Sequence, residues 1–190
     1  MSIDHVLGSL VSETLCQWKN MDPEFTLRPA TNQDQAGIIR LIGSVFEEYQ
    51  TEVDLENAEA DLLDLKKNYT DQGGQFWVLA DQQNEIHGCH SAMAENAPLN
   101  QRDGQAVCTF KRLYLAANLR GTEWGQKLMQ VAIDWAMTQK FNRVEFWSDS
   151  RFERAHRFFQ KFGFETNGEL RTMHDSFEPY QEFHFWMDLD

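Results

Sequence analysis

Arg120, Gly121 and Gly125 stand close together in residues 118–126, which read NLRGTEWGQ. An apolar and aromatic run precedes them and a helical stripe follows. That arrangement suits an anion. The first amides of a helix have no partner within it, and the positive end of its dipole adds to their pull. The amides of Gly121, Thr122, Trp124, Gly125 and Gln126 are the expected donors to a diphosphate, and Arg120 supplies charge. Two other constellations carry less. His87 and His90 are three apart on an expected strand, where such residues face opposite sides, so a shared metal ion is not expected. Cys16, Cys89 and Cys108 are odd in number and unpaired in spacing, which argues against a disulfide framework and for a reducing, cytoplasmic setting.

The elements that must position the loop can be read around it. Residues 107–115 form a strand, 118–121 the turn, and a helix runs to about Gln139. Its core stripe is Trp124, Leu128, Val131, Ala132, Trp135 and Ala136. A strand follows at 143–147. Ser150 with Glu153 suggests a capping box for a helix ending at Gly163. Residues 180–189 alternate, with Phe183, Phe185, Met187 and Leu189 toward the core.

Upstream, Ile3, Leu7, Leu10, Val11, Leu15 and Trp18 make a helical stripe over residues 2–18, joined by a short linker to the rest. This helix either packs on its own domain or is exchanged across a homodimer. The chain thus divides into 1–22, an amphipathic helix and linker, and 23–190, the main domain. Residues 25–28 form a first strand. Thr31 with Asp34 caps a helix reaching Tyr49, a second helix is expected over 55–67, and 75–80 with 85–94 make a hairpin.

With 17 basic against 30 acidic residues, the net charge is −13. Nucleic acid is normally met by a basic patch, so phosphate-backbone binding is not expected as the main task. The start has no basic n-region and no apolar run long enough for a signal peptide or a membrane span. The sum is a mixed sheet with helices on both sides.

Order and spacing resemble the GNAT superfamily of acyl-CoA-dependent N-acetyltransferases. Its phosphate loop reads Arg/Gln-x-x-Gly-x-Gly/Ala, and Arg120, Glu123 and Gly125 stand on the marked positions. Its second motif, Asn-x-x-Ala-x-x-Leu/Phe-Tyr-x-Lys-x-Gly-Phe, is matched by Ala155, Phe158, Lys161, Gly163 and Phe164, with Phe152 for Asn and Phe159 for Tyr. The resemblance implies an α/β (α+β) fold, a mixed, mostly antiparallel central sheet with helices on both faces, here with an added N-terminal helix. It implies acetyl-CoA as co-substrate, no metal, and transfer of the acetyl group to the amine of a small-molecule or amino-acid-like acceptor. The backbone of Leu113, Tyr114 and Leu115 would run beside the pantetheine arm, with Phe159 nearby.

Acyl transfer to an amine sets two demands. An alkylammonium with a pKa near ~10.4 must lose a proton, which costs roughly 5 kcal/mol at pH 7, and the departing thiolate must gain one. The resemblance would place the donor at Phe159 and, in some members, a base at Thr109; neither side chain can serve. His174, Glu145 and Asp149 are the expected substitutes, with His156 a further candidate. Eight carboxylates and no lysine or arginine lie between Leu41 and Leu65. Of the residues there, Glu47, Glu48, Tyr49 and Glu52 are expected to border the acceptor. Two alternatives stay open: an acyl-CoA-binding module without catalysis, and an interaction module built on the N-terminal helix.

Overall fold

The structure, a computed structural model, describes residues 24–94, 106–174 and 178–189. The helix expected over 2–18, its linker and the polar stretch at 98–104, expected from its sequence to be a loop, lie outside the described residues.

Seven strands form one sheet: β1 (Phe25–Pro29), β2 (Gln75–Asp81), β3 (Ile86–Ala94), β4 (Val107–Leu115), β5 (Arg143–Asp149), β6 (Leu170–Met173) and β7 (Tyr180–Asp188). Their order is β1-β2-β3-β4-β5-β7-β6, and every neighbouring pair is antiparallel except β4 with β5. Among the described residues four α-helices accompany them: α1 (Gln35–Glu47), α2 (Leu65–Asn68), α3 (Trp124–Thr138) and α4 (Glu153–Phe162). The expected mixed, mostly antiparallel sheet with helices on both faces is what the chain forms.

The continuous apolar run of β2 shows why both faces are covered. Phe76, Val78 and Ala80 pack with Ile38, Ile42 and Phe46 of α1, while Trp77 and Leu79 pack with Leu128 and Ala132 of α3. Period-two alternation sends successive side chains to opposite layers, so a strand buried on both sides needs no polar positions. Thr31 and Asp34 form the expected capping box ahead of α1.

The helix expected over 55–67 is absent, and the acidic residues are the cause. The Asp54 carboxylate accepts from the Glu56 and Asn57 amides (3.1 and 3.2 Å), and the Glu59 carboxylate accepts from the Asp54 amide (2.9 Å). Side chains that bond nearby backbone compete with helical hydrogen bonds. Only a 3₁₀ turn (Ala60–Leu63) and the single turn α2 remain. A second difference lies ahead of α4. Ser150 makes no cap: its amide donates to the Gln181 carbonyl (2.8 Å), and the helix starts at Glu153. Strand β6 was not expected; its exposed side chains give little apolar pattern.

Two irregularities shape the middle of the sheet. β4 and β5 pair over only three positions, Val107↔Arg143, Cys108↔Val144 and Thr109↔Glu145, and then part. β4 also carries a bulge. Cys89 pairs with Tyr114 and Ser91 with Lys111, so Arg112 and Leu113 both stand opposite His90. Arg112 takes the left-handed conformation (φ 59°), which a side chain with a Cβ disfavours.

The turned guanidinium goes into the α1 layer. It donates to Glu59 Oε1 (3.0 Å), Asp61 Oδ1 (2.6 Å) and the Ala58 carbonyl (2.6 Å). Tyr69, fully buried, donates its hydroxyl to Asp61 as well. One bulged residue therefore ties the irregular 54–63 segment to the central strand. Removing one partner from a buried ionic cluster leaves the others uncompensated. Arg112→Met is expected to lower unfolding stability by about 3–5 kcal/mol in urea titration; a loss under about 1 kcal/mol would show the cluster is not structural.

Candidate active site

The phosphate-type loop builds as its residues require. A 3₁₀ turn (Ala117–Leu119) leads from β4 to Gly121 at φ 84°, and α3 starts at Trp124. Glycine meets that positive φ without strain. The Thr122 amide donates to the Leu119 carbonyl and the Trp124 amide to the Thr122 hydroxyl (3.4 Å). The amides of Gly121, Glu123, Gly125 and Gln126 have no acceptor among the described residues. Four unpaired donors at a helix start are what an anion needs.

Glu123, the bulky residue in this loop, does not face the cleft. Its carboxylate binds Lys127 Nζ (2.7 Å), and that ammonium lies 4.1 Å over the Trp124 ring. The open side instead holds two cations. Arg154 of α4 reaches toward Gly121, and Arg120 is anchored through Nε to the Leu115 carbonyl (2.9 Å). Arg120 also makes a two-pronged pair with Glu48, both contacts at 2.6 Å, which holds the Glu48 carboxyl below its ordinary range.

Arg120, Gly121 and Arg154 line a cleft of about 290 Å³ with Tyr49, Leu115, Gly125 and Phe158. A larger cavity, about 370 Å³, fills the gap where β4 and β5 part. The two share Leu113, Tyr114, Phe152, Ala155 and Phe159, so they form one passage through the sheet. Beyond Thr109 the β4 edge has no strand partner on the β5 side, leaving backbone groups for an extended ligand to pair with. The unpaired amides, the small Gly125 and the two arginines fit a coenzyme diphosphate followed by a strand-like arm.

The cavity in the gap is lined by charge of both signs. Most of it is paired within the protein: Asp149 with Arg151 (2.5 Å), Glu182 with Arg171 (2.6 Å) and Glu59 with Arg112 (3.0 Å). Lys111, on the central strand, has no charged partner among the described residues. Four cations therefore stand against three carboxylates.

His90 lines the same cavity and is fully buried, its Nδ1 donating to the Leu128 carbonyl (2.9 Å) and its ring edge-on to Phe110. Burial pushes its pKa down to about 4.

The sequence-derived candidates fall in three groups. Leu113, Tyr114, Leu115, Arg120, Gly121, Thr122, Gly125, Gln126 and Phe159 line the passage, whereas Glu123 and Trp124 do not; Trp124 is a core residue. Asp149 lines the gap cavity but is held by Arg151. Glu145 lies on β5 outside it, 3.4 Å from His184 Nε2, and His174 is exposed beyond β6 and lines neither cavity. Among the residues expected to border the acceptor, Tyr49 lines the loop cleft, Glu48 pairs with Arg120 at its rim, and exposed Glu47 and Glu52 line neither space. Sequence reasoning missed Lys111, Arg112, Ser148 and Arg154. Lys111 and Arg112 lie within a strand whose inner and outer positions the bulge rearranges, and no periodicity signals that.

The sequence profile of the Acetyltransferase (GNAT) family matches residues 40–164. No curated protein sequence matches the chain. Solved structures do. An acetyltransferase of the GNAT family from Staphylococcus aureus Mu50 aligns at a TM-score of 0.72 with 19% identity, covering 87% of this chain and 99% of that one. A GNAT superfamily phosphinothricin acetyltransferase from Sinorhizobium meliloti in complex with AcCoA aligns at 0.65 with 18% identity, over 87% and 89% of the two chains. A ribosomal-protein-alanine N-acetyltransferase from Brucella melitensis aligns at 0.64 with 19% identity, over 86% and 99%. At such identities the likeness is one of fold.

The buried histidine predicts a pH effect. Its folded pKa lies below the unfolded value of about 6.5, so the unfolded chain binds the extra proton between the two. Stability is therefore full above about pH 6.5 and falls as pH drops toward 4. Relative to His90→Phe, which does not titrate there, the wild type should lose about 2–3 kcal/mol more between pH 7 and 4.5 in urea unfolding. Parallel curves would contradict a buried neutral imidazole.

Proposed function

The chain belongs to the acetyltransferase (GNAT) family and is an N-acetyltransferase, and we propose that it transfers the acetyl group of acetyl-CoA to the amine of a small, amino-acid-like acceptor. The observation that carries this reading is the continuous passage. At one end are unpaired amides and arginines suited to a diphosphate, and at the other a mixed-charge cavity opens through the parted strands.

Each part has a task. The loop amides and Arg154 hold the diphosphate, and the free edge of β4 holds the arm by backbone pairing. Bound there, acetyl-CoA supplies the activated acyl group. The residues of the gap cavity hold the acceptor and govern its protonation.

Four carboxylates of the acidic run are already engaged within the protein, which makes them poor traps for an amine. Glu48 is engaged by Arg120, Glu59 and Asp61 by Arg112, and Asp54 by local amides. The excess positive charge at Lys111, which has no charged partner among the described residues, disfavours ammonium beside it and lowers its pKa, which eases the costlier of the two proton transfers. The same excess favours an acceptor that brings a negative group of its own. Lys111 is the residue placed to receive it.

Pure protein mixed with acetyl-CoA and a panel of amines, read by free thiol, tests the reading. Release of thiol is expected with amino acids and with amines carrying a carboxylate or phosphate. Lys111→Met is expected to raise KM for those acceptors about tenfold or more, as befits one charge-assisted hydrogen bond, and to leave their neutral counterparts unchanged. Tight coenzyme binding with no turnover on any amine, peptide N-termini included, would leave only the reading of a catalytically silent acyl-CoA binder.

A further inference from the structure

The leaving sulfur needs a proton, and the passage holds few groups able to give one. Phe159 occupies its centre, edge-on to Phe146 (4.8 Å) and Phe185 (5.4 Å), with no hydroxyl. Three of the other lining hydroxyls stand in different surroundings. Thr122 donates to the Leu119 carbonyl (2.6 Å). Tyr114 packs against Phe46 in the α1 layer, where burial raises its pKa far above the ordinary phenol value. Thr109 also lines the gap cavity, at the last position where β4 pairs with β5, and among the described residues no imidazole bonds to its hydroxyl as one does to that of Ser148.

Ser148 differs. On β5 it follows Val144 and Phe146 at two-residue spacing, so it points to the same face as those core residues and as Phe159. It lines the gap cavity, and His156 Nε2 lies 3.2 Å from its hydroxyl. His156 is half-buried. Phe159 of its own helix and Phe183 and Phe185 of β7 surround the ring. The charged groups facing it are Asp149 from β5 and Glu153 and Arg157 from α4. Desolvation is the largest influence and holds its pKa below 6.5, only partly offset by Asp149.

We propose that His156 and Ser148 form the proton relay to the departing sulfur of acetyl-CoA, an inference that rests on the acetyltransfer reading above. A serine hydroxyl alone is too weak an acid to protonate a thiolate, whose pKa is near ~8.5. The imidazolium behind it is strong enough. As the acceptor nitrogen bonds to the acyl carbon and the C–S bond breaks, the electron pair goes to sulfur. Ser148 Oγ–H gives its proton to that sulfur and takes one from His156 Nε2–H. His156 is reprotonated from solvent, and the acceptor nitrogen releases one proton to solvent, so the balance closes.

The relay fixes a pH signature. It works through protonated His156, so its contribution is greatest below the His156 pKa and shrinks as pH rises through it. Single-turnover thiol release should be about 10²-fold slower in Ser148→Ala near pH 6, with the deficit narrowing above pH 7 and acetyl-CoA KM little changed. Ser148→Thr, which keeps a hydroxyl, should recover most of the rate. A second readout needs no turnover: proton NMR of His156 should show a higher pKa in the complex with coenzyme A than with desulfo-coenzyme A. That difference should vanish in Ser148→Ala. Equal losses in the alanine and threonine variants, a deficit independent of pH, or identical titration in the two complexes would each overturn the relay. If no amine is acetylated while His156 still responds to the thiol, the acetyltransfer reading falls and the contact at sulfur stands.

Discussion

Three residue pairs of parallel bonding join β4 to β5, and the site exists because there is no fourth. Unpaired backbone groups in mid-sheet are costly unless a ligand or water meets them, so strands do not part without something holding them apart. Here each strand is fully committed on its other side. β5 pairs with β7 over seven positions, from Arg143↔Asp188 to Asp149↔Glu182, and β4 follows β3 as far as Leu115. The sheet's twist carries these two blocks in different directions, and Phe110, Phe146 and Phe159 fill the wedge from the α3 and α4 side. A gap with aromatic walls and bare strand edges results.

The bulge at Arg112 has a matching role on the other face. A left-handed arginine costs on the order of 1–3 kcal/mol in backbone strain, and a desolvated guanidinium costs more. Glu59, Asp61 and the Ala58 carbonyl offset both, since each meets the guanidinium in hydrogen-bonding geometry. The arrangement also explains why a stretch so rich in carboxylates does not repel itself out of the fold. Asp54 turns to local amides, and Glu59 and Asp61 to one arginine, while Glu47, Glu52 and Glu56 stay exposed to solvent.

Much of this was legible in the sequence. Helix α3 and the hairpin of β2 and β3 follow from apolar periodicity and turn residues, and the loop at Gly121 follows from glycine placed between a strand and a helix. What escaped was whatever depended on partners distant in sequence. Residues 55–67 have helical spacing, yet Arg112, some fifty positions away, takes a backbone carbonyl that a helix would use. Glu48 reads as an exposed helix-end carboxylate until Arg120 folds against it. Ser148 and His156 are eight apart, across a strand and a helix, at a spacing that carries no periodic signal.

The pairing of Glu48 with Arg120 joins the end of α1 to the rim of the anion loop. A carboxylate and a phosphate compete for one guanidinium, so filling the loop and holding the end of α1 are thermodynamically linked. Whatever free energy Glu48 withholds from the coenzyme, the coenzyme withholds in turn from the grip on α1, by the reciprocity that binds any two coupled equilibria. Filling the loop thus loosens the helix end beside Tyr49 and Phe152, which pack against each other at 4.7 Å.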